Sequence, residues 1–113
     1  MKKLNNNISE SYCLFEVSKL LKEKGFDVAS SYWDFDKVGI LSLRKPTHSL
    51  AIEWIRVNFG IHIVAWRYID DPKKYYFEID ACNILGGNTT NLYNSPQEAI
   101  EAALEYTLTH LIK

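Results

Sequence analysis

The chain has 113 residues, 47% of them hydrophobic and 24% charged, with 13 basic against 14 acidic side chains for a formal net charge of −1. That length fits one domain able to bury a core without disulfides or metal, and the charge balance excludes a general attraction to nucleic-acid backbones or anionic lipid. Two cysteines, Cys13 and Cys82, are too few for a disulfide scaffold and read as thiols packed like small hydrophobes in a reducing compartment.

Residues 1–8 are polar and predict a flexible N-terminus, leaving 9–113 as a single domain. The opening MKKLNNNISES has asparagines where a signal peptide carries its apolar stretch, and no run approaches the roughly 18 apolar residues of a membrane span. The expectation is a cytoplasmic protein. A first helix is predicted from Ser9 to Lys24, with Cys13, Leu14, Val17, Leu20 and Leu21 on one face. Asn7 or Ser9 would cap it, and Gly25 would end it in the left-handed region.

FDVASSYWDF reads as a strand, DKVG as a turn and ILSLR as the returning strand, which Pro46 ends. Thr47 then caps a second helix over His48–Asn58, closed by Gly60. Strands follow at Ile61–Ile69 and Tyr75–Asn83 around the turn DDPKK. LGGNTTNLYN is a loop with room for a short edge strand. The last helix has the clearest start: Ser95 caps, Pro96 takes the first helical position and Glu98 completes S-x-x-E. Ile100, Ala103, Leu104, Thr107, Leu108 and Leu111 then follow one face. The fold class expected is α+β in the order α-β-β-α-β-β-α, a four-stranded antiparallel sheet with helices on one face.

Strand alternation assigns the two sides of that sheet. Glu78 and Asp80 would each be costly to bury unpaired, so their side is the wet one and Phe77 and Ile79 belong to the core. By the same parity Ile61 and Ile63 point to the helices. Tyr32, Arg44, His62, Trp66, Tyr68 and Tyr76 fall on the open side, among Asp34, Glu78 and Asp80. Aromatics ringed by charge suit a protein partner or a second copy of the chain, because Trp and Tyr supply large rigid area with a polar tip. The competing reading is that they stack across strands and stiffen the sheet. The first reading gives the expected role, an interaction module and not an enzyme.

Other chemistry has less to stand on. A single-stranded nucleic-acid binder would stack bases on such aromatics, but the neighbouring acids repel phosphate and no RNP-like string is present. His48, His62 and His110 are dispersed without metal-ligand spacing, so no metal, cofactor or catalytic residue is assigned. The alternative is a small-molecule or enzyme pocket beside the same face, with His62, Glu78 and Cys82 as its groups. Glu98, Glu101 and Glu105 read as the solvated back of the last helix.

Three strings, EVSKLLKEKGFD, PTHSLAIEWIRVNFGIHIVAW and YNSPQEAIEAALEYTLTHLI, cover most of the chain. In that order they resemble a set of small uncharacterised proteins of gut anaerobic bacteria and of their phages and mobile elements. The resemblance implies a small intracellular α+β protein and brings no activity or site residue with it.

Overall fold

The computed structural model describes residues 4, 6, 10–28, 32–35, 42–81, 84–88 and 91–112. Along the chain run α1 (Phe15–Glu23), β1 (Tyr32–Phe35), β2 (Ser42–Lys45), α2 (His48–Phe59), β3 (Ile61–Arg67), β4 (Tyr75–Ala81), β5 (Ile84–Asn88) and α3 (Pro96–Tyr106). A π-helical turn, Thr107–Leu111, continues α3. The expected cap residues Asn7 and Ser9, the DKVG turn and Cys82 lie outside the described residues.

The α+β class holds, but the single four-stranded sheet does not. Among the described residues β1 and β2 pair only with each other, and a separate antiparallel sheet has the order β3-β4-β5. Two local features accompany this split. The far side of β4 is taken by β5, built from the ILGGN segment whose glycines read as a loop, with Ile79 opposite Gly87 and a bulge before Ala81 meets Ile84. Beyond β2, the chain is held by the N-terminal segment instead of by another strand. Cys13 N–H donates to Pro46 O at 2.8 Å and His48 N–H to Ser11 O at 2.9 Å.

That pairing also corrects the start of the first helix. Residues 11–13 are extended, Tyr12 bridges Thr47, and the helix begins only at Phe15. Its end is as the sequence requires, with Gly25 at φ +101°.

The other two helices follow their local chemistry. Thr47 Oγ1 accepts from Leu50 N–H at 3.2 Å to open α2, and Gly60 closes it at φ +68°, where a side chain would be strained. Ser95 Oγ accepts from Glu98 N–H at 3.1 Å to open α3.

Between β3 and β4 the register runs from Ile61 opposite Ala81 to Arg67 opposite Tyr75. Ile61, Ile63, Phe77 and Ile79 are buried against the helices, as strand parity predicts. α3 lies across β3 and β4, with α1 and α2 packed beside it. Val17 and Leu21, Ala51 and Ile55, and Ala103, Leu104 and Leu108 complete one continuous core. Burying side chains of this size contributes about 1.5–3 kcal/mol each before chain entropy is counted.

Candidate functional site

The outer face of β3 and β4 carries four of the residues that parity selects. His62 stands opposite Asp80, Val64 opposite Glu78 and Trp66 opposite Tyr76. Trp66 is 49% exposed and Val64 40%. The Trp66 indole Nε1–H donates to Glu78 Oε2 at 2.9 Å, which fixes the ring on the surface. Tyr76 and Tyr68 meet edge to face with centroids 6.5 Å apart. The face is therefore an ordered aromatic strip flanked by carboxylates.

Tyr32 and Arg44 do not belong to this sheet. They lie on the β1–β2 hairpin, whose register sets Tyr32 opposite Lys45 and Trp33 opposite Arg44, so the two occupy positions of opposite parity. Of the alternative pocket group, His62 and Glu78 are both exposed on the β3–β4 face. Neither lines the cleft beside Ser11 and His48.

A second constellation forms where the N-terminal segment, the start of α2 and the middle of α3 converge. His48, at the first position of α2, is 8% exposed. A buried imidazole must satisfy both ring nitrogens. Ser11 Oγ lies 2.7 Å from Nδ1, and Glu101 Oε2 lies 2.6 Å from Nε2. A carboxylate can only accept, so Nε2 carries a proton, and in the neutral ring Nδ1 then accepts from the Ser11 hydroxyl. The tautomer is thus set by the partners. The other oxygen of Glu101 accepts Leu14 N–H at 2.8 Å, at the N-terminal end of α1, where the helix dipole favours a negative charge. Glu101 is accordingly not the solvated acid its helix pattern suggests; its side chain is 14% exposed.

Cys13 lies beside this cluster. Its Sγ, a ring nitrogen of His48 and a Glu101 oxygen fall within 4.8 Å of one another. These are donors of a kind zinc accepts, but here His48 and Glu101 bond directly to each other. Burial pushes the Cys13 thiol far up, and the Glu101 charge pushes it further. With the thiol held protonated and His48 paired to Glu101, the set as it stands is a hydrogen-bonded network.

The network borders a cleft of about 460 Å³ lined by Ser11, Tyr12, His48, Tyr93, Gln97 and Glu101, with Leu14 and Ala102 among its apolar walls. Its volume is within the range of small-molecule sites. Sequence reasoning missed it because Ser11, His48 and Glu101 are separated by 37 and 53 positions. A signal was present all the same. His48 precedes Ala51 and Ile55 by three and seven residues, and Glu101 precedes Leu104 and Leu108 by the same steps. Each polar residue therefore sits on an apolar stripe. No family model, no curated protein and no solved structure matches the chain.

Proposed function

We propose that this protein is an interaction module acting through the outer face and free edge of β3, and that its partner is a second copy of the chain. The observation that carries the reading is Trp66: a half-exposed indole held in place by Glu78 is a contact group whose ordering cost is already met before binding. Among the described residues β3 has a strand neighbour on one side only, and an edge strand is a template for another chain. A two-fold centred on Val64 would set Val64 against its own copy and His62 against Trp66 of that copy, an apolar centre with an aromatic contact on either side. The same axis would place Ile63 opposite Ala65 and extend the core. The acids Glu78 and Asp80 on this face oppose a phosphate ligand. No helix among the described residues is long and apolar enough to cross a bilayer.

The test is solution mass by light scattering over a concentration series. A rise from 13.1 kDa to twice that is expected. Val64→Lys would oppose two like charges across the axis and hold the chain monomeric, and Trp66→Ala would weaken the association at least tenfold while the chain still melts cooperatively. A monomeric mass up to millimolar protein refutes self-association.

A further inference from the structure

We propose that the cleft between the N-terminal segment, α2 and α3 hydrolyses small esters, with Ser11 as nucleophile, His48 as proton carrier and Glu101 as the residue that positions His48. Three geometric requirements for acyl transfer meet there. A hydroxyl hydrogen-bonds an imidazole nitrogen, Ser11 Oγ to His48 Nδ1 at 2.7 Å. The other nitrogen is held by a buried carboxylate, Glu101 Oε2 at 2.6 Å. The nucleophile lines an open cleft of about 460 Å³ with largely apolar walls. The two imidazole nitrogens are chemically equivalent in this role, provided that one faces the hydroxyl and the other the carboxylate. A purely architectural histidine needs its nitrogens satisfied, but it has no need of a cavity at the serine.

The reaction follows from the tautomer. Ser11 Oγ attacks the ester carbonyl carbon as its proton passes to His48 Nδ1, and Glu101 holds the resulting imidazolium. The tetrahedral intermediate collapses with cleavage of the ester C–O bond. The leaving alkoxide takes the proton from Nδ1, and the acyl group stays on Ser11. A water molecule then attacks the acyl carbon, giving its proton to Nδ1; the C–O bond to Ser11 breaks, and the serine recovers its proton as the carboxylic acid departs. Gln97 and Tyr93 also line the cleft, and amide N–H and phenol O–H groups are of the kind that stabilise an oxyanion. Glu98 and Glu105 line the same cleft, so it takes neutral or cationic esters and disfavours anionic ones.

The experiment uses the full chain with a fluorophosphonate probe read by intact mass and peptide mapping, alongside turnover of p-nitrophenyl acetate, butyrate and hemisuccinate. One adduct, mapped to Ser11, is expected, with the hemisuccinate the poorest substrate. S11A, which leaves His48 its Glu101 bond, abolishes both readouts while still melting cooperatively. H48Q slows labelling by about 100-fold or more, the scale of a general base. E101Q lowers kcat with KM unchanged, a split that loss of packing alone would not produce. Should H48Q fail to fold, E101Q and S11A carry the comparison. A folded wild-type chain that takes no adduct and turns over esters no faster than S11A overturns the proposal. So do an adduct on another residue and activity abolished by chelation.

Discussion

Replacing Glu101 with alanine removes, in one step, the acceptor for Leu14 N–H and the partner of His48 Nε2–H. Hydrogen bonds to a charged group contribute about 1.5–3 kcal/mol each. The first of these lies at a helix start that water can reach once the carboxylate has gone, so the low end applies. The second leaves a buried imidazole N–H unsatisfied. The expected loss is about 3 kcal/mol. Unfolding entropy of about 2.1 cal/mol/K per residue over 113 residues makes that a fall of roughly 12 °C in melting temperature. Glu101→Gln keeps an acceptor for Leu14 and lets the ring tautomer invert, so it costs only about 1 kcal/mol. Urea denaturation of the two variants, with His48→Ala completing a double-mutant cycle, gives the magnitudes directly. The Glu101–His48 coupling is expected above about 1 kcal/mol, since contacting residues of one network are non-additive. A loss below about 0.5 kcal/mol for Glu101→Ala is the value for an exposed surface substitution, and would refute the placement of Glu101 inside the network.

Two further outcomes follow from buried groups. Thr107 Oγ1 is buried with no hydrogen-bond partner among the described residues, so Thr107→Val, which keeps the shape and removes the hydroxyl, is expected to raise stability by about 1 kcal/mol and the melting temperature by roughly 4 °C; a fall would show that the hydroxyl is satisfied. The Cys13 thiol is raised in the folded chain above its usual 9.0. Its contribution is therefore complete below that value and is lost as pH climbs above it, because only the unfolded chain then releases the proton. In a Cys82→Ser background stability should fall by about 1.4 kcal/mol per pH unit beyond that point. Cys13→Ala should flatten this slope, and native Cys13 should resist iodoacetamide at pH 8.

What was legible in the sequence was local. The capping of α3 by Ser95, the left-handed ends at Gly25 and Gly60, and the inward parity of Ile61, Ile63, Phe77 and Ile79 each depend on residues a few positions apart, and each is found as read. The number of sheets was not legible, because it turns on which strand edges find each other. The glycines of β5 hid a strand that occupies the edge of β4, and the first hairpin was left to itself. Parity placed Trp66 and Tyr76 correctly on the outer face, whereas extending it to Tyr32 and Arg44 assumed a sheet that does not exist. The Ser11–His48–Glu101 network was hidden for a related reason. Its members belong to three segments, and the apolar spacing of the first predicts a helix, which gives Ser11 no path to His48.

The extended stretch at residues 11–14 has a consequence for how the molecule assembles and opens. It fastens to the start of α2, 37 positions away at Ser11–His48, and to α3, 87 positions away at Leu14–Glu101. Closures that long cost more chain entropy than the helix turns and the β3–β4 hairpin, so they come late in folding. The stretch is also short and belongs to no helix or strand, so it is the part that peels away at least cost. Amide exchange at Cys13, Leu14 and His48 should therefore proceed as one group, ahead of the sheet. Each such opening takes the floor of the cleft with it, while the helices and strands beneath stay folded.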